Sequence, residues 1–306
     1  MWFKNLRIYR FTEMPTVSAE QLHESLKDRP FLPCGSHDEF SFGFVNPVKD
    51  DSESTVFFAG QYVEICGKKE ERILPSSAIN EELAKRIKEI EEREARKLPT
   101  KERSRMKDEL IFELLPRALT KSTKTHAYID TENGFLIVDS SSAKKAEDLL
   151  SQLRKCLGSL PVTPLQVENK PHSVMTQWLT FTEANHHQNF TLDDECELRS
   201  PEEGGSIIRC KRQDLSLPEI KNHLDNGLQV HKLALTWNDR ISFTLDVDLA
   251  IKRVKFLDLV QEKAADIEAF DEAEQFEADF TIMTSEITVM LDDLIEAFGG
   301  MPTCQA

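Results

Sequence analysis

The chain has 306 residues, with 38 Lys and Arg against 54 Asp and Glu, a formal net charge of −16 and 40% hydrophobic residues. That composition excludes a globally disordered chain and, if charge acts only in bulk, argues against a nucleic-acid binder; the length fits one large domain or two ordinary ones. No apolar run approaches the roughly 20 residues that span a bilayer, and Trp2–Arg10 threads charges through its apolar residues, unlike a signal peptide, so a cytoplasmic protein is expected.

In chain order, Trp2–Phe11 alternates and reads as a strand. Ser18 reads as the N-cap of a helix, with Gln21 as its capping-box partner. Ser41–Val48, Thr55–Ala59 and Tyr62–Cys66 read as short strands between Gly, Asn, Pro and Asp. Ile79–Leu98, with Leu83, Ile87 and Ile90 at helical spacing, and Lys101–Leu115 read as two helices broken at Pro99. Their apolar face is thin, which predicts a hairpin projecting from the body. Ala127–Ile129 and Phe135–Val138 read as a β-hairpin, since Asn133-Gly134 suits a type I′ turn. Ser141–Leu157 is an amphipathic helix closed by Gly158, and Pro161–Pro164 reads as a linker. Beyond it, Ser206–Arg212, Val230–Trp237, Ile241–Leu245 and Arg253–Phe256 are strand-like, and Leu217–Leu224 is a short helix. Ala269–Phe298 is a long helix ended by Gly299-Gly300.

The negative charge is concentrated. Leu257–Glu296 holds thirteen Asp or Glu and only Lys263 against them, so it carries −12 of the −16 and leaves the other 266 residues nearly balanced. The final helix therefore has an apolar core face and an acidic back, which can steer DNA to another part of the molecule. Positive charge gathers in short stretches. Lys68-Lys69 follow Gly67, Arg96-Lys97 sit at the Pro99 break, Arg117, Lys121 and Lys124 occupy a segment without carboxylates, and Arg209, Lys211 and Arg212 form another group. Lys252, Arg253 and Lys255 lie beside a further strand. Separate basic stretches suit contacts to phosphate, which are salt-sensitive and blind to sequence. They also suit a solvated surface, since many lysines and arginines between Glu81 and Lys107 have acidic partners at i,i+4.

An enzyme reading has less to stand on. His186 and His187, with Asp193, Asp194, Glu195 and Cys196, could in principle pair acid with base or hold a metal. They lack the spacing of a metal or hydrolase motif and read as a polar loop before a strand. No phosphate-loop or nucleophile-elbow pattern occurs, and Gly204-Gly205 reads as a turn. Cys34, Cys66, Cys156, Cys196, Cys210 and Cys304 include no C-x-x-C pair and are expected as free thiols. No cofactor and no metal is expected.

Several longer stretches carry a family likeness. W-F-K-N-L at Trp2–Leu6, P-C-G-S at Pro33–Ser36, I-C-G-K-K-E-E-R-I-L-P-S at Ile65–Ser76, A-R-K-L at Ala95–Leu98 and L-L-P-R-A at Leu114–Ala118 resemble the bacterial recombination-associated RdgC family. Ser141–Val162, K-L-A-L-T-W-N-D-R-I at Lys232–Ile241 and F-E-A-D-F-T-I-M-T at Phe276–Thr284 continue the resemblance. It implies a homodimer that closes into a ring with a basic interior. Such a ring binds duplex DNA with little sequence preference, also binds single strands, and restrains the recombinase RecA, with no enzymatic activity. It further implies that the helical hairpin forms one of two dimer contacts. Arg96 and Arg212 are similar to positions implicated in DNA or gate contacts. Leu119 stands where the family can have Phe, keeping an apolar anchor with less area.

The expectation is thus an α+β protein with mixed sheets, packed helices and a projecting hairpin, assembled as a ring-shaped homodimer. Residues 1–75 with 118–163 form a central region, 76–117 the tip, and 164–306 a second region with the acidic helix. Lys68, Lys69, Arg96, Lys97, Arg117, Lys121, Lys124, Lys211 and Arg212 are the expected DNA-binding residues and Leu119 the dimer contact. The expected partners are double-stranded DNA, single-stranded DNA, a second copy and, as an antagonist, RecA, in a nucleoid-associated cytoplasmic setting without membrane. The alternative is a protein-interaction module acting directly on the recombinase, with DNA incidental. A hydrolase built on His186, His187 and Asp193 is a more distant one.

Overall fold

A computed structural model describes residues 1–13, 19–49, 54–180, 189–267 and 269–302. The first half contains β1 (Asn5–Phe11), α1 (Ala19–Lys27), β2 (Phe40–Val45), β3 (Val56–Ala59) and β4 (Tyr62–Arg72). A helical hairpin follows, α2 (Ser76–Glu94) and α3 (Thr100–Leu114), which closes in a 3-10 turn at Leu115–Arg117. Then come β5 (Thr120–Asp130), β6 (Phe135–Asp139), α4 (Ala143–Leu157) and β7 (Val162–Pro164). The second half contains α5 (Pro171–Thr180), β8 (Phe190–Arg199), β9 (Ile207–Lys211), α6 (Pro218–Asp225) and β10 (Gln229–Trp237). It ends with β11 (Ile241–Asp246), β12 (Ile251–Phe256), α7 (Asp258–Ala265) and α8 (Glu272–Ala297).

Where separate mixed sheets are expected, one sheet runs through both halves in the order β2-β4-β5-β6-β1-β12-β11-β10-β8-β9. Its strand pairs are antiparallel, and β1 joins the halves by pairing with β6 on one side and β12 on the other. Alternation along β1 sorts its side chains into two cores. Leu6 and Ile8 pack with Ile137, Leu233, Phe243 and Ile251 under Phe280, Met283, Ile287 and Leu294 of α8. Tyr9 and Phe11 face the opposite way, toward Leu22 and Leu26 of α1 and Leu149, Leu150 and Leu153 of α4. The buried residues of α5 and α6, and Val260 of α7, join the core of α8. The other face of β8–β12 therefore stays polar.

Several local expectations change. β4 runs six residues past Cys66, and β5 begins at Thr120 instead of Ala127, so Lys68, Lys69, Lys121 and Lys124 all lie on strands. Eleven residues of each strand pair in register. Asn133-Gly134 does not form a type I′ turn, which needs positive φ at both central residues. Only Gly134 has it, at 69°, while the Asp130 carboxylate accepts the Glu132 and Asn133 N–H groups and closes a longer loop. The linker at Pro161–Pro164 is largely β7, paired with β1. Asp193–Cys196 lie within β8 instead of a loop before it. The readings of Ser18, His186, His187 and Cys304 lie outside the described residues. The helical hairpin buries Ile79, Leu98, Leu110 and Leu115, none of which belongs to either sheet core. Among the described residues no helix is long and apolar enough to cross a membrane.

Candidate nucleic-acid interface

The expected basic residues fall into three places. At the first, Lys68 of β4 stands directly opposite Lys124 of β5, so one face of the sheet presents two cations side by side. Like charges in that position cost stability. Lys68 Nζ also lies 4.6 Å from the centre of the Phe31 ring, a cation–π contact that holds the ammonium over an apolar surface. Gly43, the partner of Lys68 on β2, makes room for the backbone that carries that ring: a Cβ there would come within 2.3 Å of the Phe31 Cα.

Lys69 and Lys121 point to the opposite face by strand alternation. Glu71 is directly opposite Lys121 and forms an ion pair with Lys69 at 3.3 Å. Lys69 also approaches the Phe40 ring, at 5.0 Å. The four lysines are therefore divided between two faces, and only Lys68 and Lys124 are brought together. Glu70 tempers that pair's surroundings, accepting the Cys34 N–H at 2.8 Å and the Ser122 hydroxyl at 3.2 Å. These bonds, Cys34's backbone N–H foremost, hold its carboxyl below the usual range.

The second place is the turn of the helical hairpin. Ala95 ends α2 in the left-handed conformation, φ 49°, and turns the chain toward Pro99. The stretch Arg96–Lys101 has no carboxylate of its own, yet the fold supplies two. Arg96 donates from Nε to Glu94 at 2.8 Å and from Nη2 to Glu102 at 2.9 Å. Lys97 is exposed beside it, and Arg117 is exposed on the 3-10 turn at the hairpin's foot. Leu119 follows, 78% exposed, and its carbonyl accepts the N–H of the half-exposed Ile73 at 2.8 Å. Arg72 ties this foot to the sheet, donating to the Ala118 and Gly35 carbonyls. On α3, exposed Phe112 stacks on His37 with ring centres 4.1 Å apart.

The third place is the polar face of β8–β12. Glu195, Cys196 and Glu197 stand opposite Lys211, Cys210 and Arg209 respectively. A register shift in β10 between Val230 and Lys232 puts Lys232 opposite Glu197 on its other side. Glu197 is 5% exposed and takes three cations: Arg199 on Oε1, Arg209 and Lys232 on Oε2, at 2.6 to 3.0 Å. Burial alone would push its carboxyl up, but the three partners pull it down to about 2. Arg253, itself at φ 54°, pairs with Glu195 at 2.8 Å. Arg212 follows Lys211 at φ 52°, so the chain turns sharply there. Sequence reasoning found Lys211 and Arg212 but missed Glu197, Arg199 and Lys232. Their signal, charges alternating within E-C-E-L-R, is visible only once pairing places them on one face.

Asp193 is occupied by Thr236, whose hydroxyl donates at 3.0 Å. Among the described residues, no group of three or more His, Cys, Asp or Glu is placed to hold a metal ion. Cys34, Cys66, Cys156, Cys196 and Cys210 are free.

A family model described as "Putative exonuclease, RdgC" matches residues 1–301. Three curated relatives bear the name recombination-associated protein RdgC. That of Psychromonas ingrahamii is 46% identical over 98% of this chain and 99% of its own. Those of Aeromonas hydrophila and Yersinia enterocolitica are 44% and 43% identical, each over 98% of both chains. With a family model covering nearly every residue and near-full-length relatives above 40% identity, the chain belongs to the RdgC family.

Proposed function

We propose that the protein is a homodimer that encircles duplex DNA through phosphate contacts, binds without reading sequence, and thereby restrains RecA in recombination. The observation that carries this reading is the separation of charge across the sheet. On α8 the carboxylates Glu274, Glu277, Asp292 and Glu296 are exposed away from its buried stripe, and Glu272 is exposed in its first turn. The polar face of β8–β12 turns its cations the other way, so a chain of charge −16 still owns a positive surface. A ring that puts this face inward and α8 outward removes the conflict between net charge and DNA binding. The names of the relatives, which associate them with recombination, support the same setting.

Lys211 and Arg212 are assigned to the DNA path together with Lys69 and Lys121, which strand alternation turns to the face opposite α8, and Lys68, Lys124 and Arg117 lie at its margin. Arg96 and Lys97 reach DNA from the hairpin turn, where Arg96 exchanges Glu94 and Glu102 for phosphate. Leu119, with Ile73 beside it, is the apolar anchor of one dimer contact. In this reading residues 1–75 with 118–163 form the centre of each arm, 76–117 its tip, and 164–306 the remainder. Single-stranded DNA binds the same phosphate-contacting surface, the protein acts near the nucleoid, and no bond is cleaved.

The test is a salt titration of binding to linear and to covalently closed circular duplexes of equal length. Affinity should fall linearly on a log–log plot as salt rises, and dissociation should be faster from the linear form, where a ring can slide off an end. Salt-independent affinity defeats the phosphate contacts, and equal dissociation from both forms defeats encirclement. The exposed Leu119 and Phe112 also suit a second reading, in which the hairpin's foot docks directly on the recombinase. Co-precipitation of RecA in the absence of DNA would favour that one.

A further inference from the structure

Glu197 poses a question that DNA binding alone does not answer. A basic surface gains nothing by burying a carboxylate in it, and burial of an acid is costly unless it is fully paired. Here the pairing exceeds what neutralisation needs. Arg199 donates Nε and Nη2 to Oε1, while Arg209 Nε and Lys232 Nζ share Oε2. Three cations around one carboxylate leave a surplus of two positive charges at one spot. That spot borders a pocket of about 180 Å³ whose lining includes Arg209, Lys211, Lys232 and Thr244 together with Glu195, whose carboxylate is paired by Arg253 at 2.8 Å. Arg209 gives only Nε to Glu197, and its side chain is 63% exposed. Its outer edge therefore faces solvent with the guanidinium plane already held by the inner bond. Long cationic side chains lose rotamer freedom when they bind, so holding them beforehand lowers the entropy cost of taking a ligand.

We infer that Glu197 is a positioning residue for the DNA backbone: it gathers Arg199, Arg209 and Lys232 into a fixed cluster whose surplus charge takes one phosphate group. This rests on the DNA-binding reading above. It also makes a prediction of opposite sign to simple electrostatics. Replacing Glu197 by Gln removes a negative charge from the surface, so charge alone predicts tighter binding. Loss of positioning predicts weaker binding, since the three cations repel one another and disperse.

The experiment measures binding of the full-length protein to a fluorescent duplex across a salt series. Glu197→Gln and Arg209→Lys are compared with wild type, alone and combined. Arg209→Lys keeps the charge and loses the guanidinium geometry, a change with little risk to an exposed position. We expect each variant to weaken binding roughly threefold or more, with melting of Arg209→Lys unchanged, and the combination to be no worse than the weaker single variant. Either folded variant binding as tightly as wild type overturns the inference. Should Glu197→Gln fail to fold by circular dichroism, Arg209→Lys alone decides in the same way. Wild-type protein that fails to bind the duplex at low salt overturns the DNA-binding reading itself. Normal wild-type binding with unaffected variants overturns only the role of Glu197.

Discussion

Glu64, His126 and Cys66 form a buried polar row on β4 and β5. Glu64 is fully buried, and its Oε1 lies 2.9 Å from His126 Nδ1, while His126 Nε2 lies 3.6 Å from the Cys66 sulfur. Burial opposes charge on the imidazole, yet its bonds to Cys66 and Glu64 outweigh that and raise it from 6.5 to about 9. Burial pushes Glu64 up as well, and the imidazolium is what lets it ionise inside the fold. The sign of the pH effect follows from the histidine. A folded pKa above the unfolded one gives stability that is complete below pH 6.5 and lost as pH rises to about 9. Thermal melts between those limits should show falling stability, and a flat profile would refute the ion pair. His126→Leu should cost about 3 kcal/mol or more at neutral pH, because Glu64 is left as an unpaired buried acid. Nothing in a linear reading marks these three, since Cys66 meets His126 only through the β4–β5 register.

At the scale of elements, β2, β4 and β5 carry the largest gap between sequence and structure. Gly43 is the pivot: Phe31 crosses β2 there, the Phe31 N–H donates to the Phe44 carbonyl at 3.1 Å, and Phe44 N–H donates to the Arg29 carbonyl at 2.9 Å. Gly43→Ala would drive a methyl into the Phe31 backbone, so denaturant melts should show a loss of about 1–3 kcal/mol. The Lys68–Phe31 contact should go with it, and an unchanged midpoint would show that the strap moves freely. Helices α4 and α8 were legible because their apolar residues recur at helical spacing, and α4 opens on Ser142, whose hydroxyl accepts the Lys145 N–H. The outer ends of β4 and β5 were not. K-K-E-E-R and T-K-S-T-K-T have no apolar alternation, and only a long backbone ladder makes them strand. β8 hides for the same reason, since Asp193, Asp194 and Glu195 interrupt its pattern. The candidate site was legible as basic letters and not as a surface: the acids that engage Arg96 and Arg209, namely Glu94, Glu102 and Glu197, act through folding or pairing.

For the molecule as a whole, the proposed DNA binding would draw separable contributions from net charge and local charge. Cations that touch phosphate release counterions, and their number sets the slope of affinity against salt. Carboxylates on a remote face act only through the long-range field, which fades beyond about 10 Å at 0.1 M salt. The exposed acids of α8 belong to the second kind if that helix faces away from DNA. Replacing Glu272, Glu274, Glu277, Asp292 and Glu296 by Gln removes five negative charges without touching the buried stripe from Phe280 to Ile295. The fold should hold, because those positions contribute little to the core. Binding to duplex DNA should tighten at 0.05 M salt, and the ratio to wild type should shrink toward one as salt rises past roughly 0.2 M. A gain that persists at high salt would place α8 against the phosphates and overturn the proposed orientation. A gain confined to low salt would leave the polar face of β8–β12 as the surface that meets DNA, with α8 as the outer wall that keeps a second duplex away.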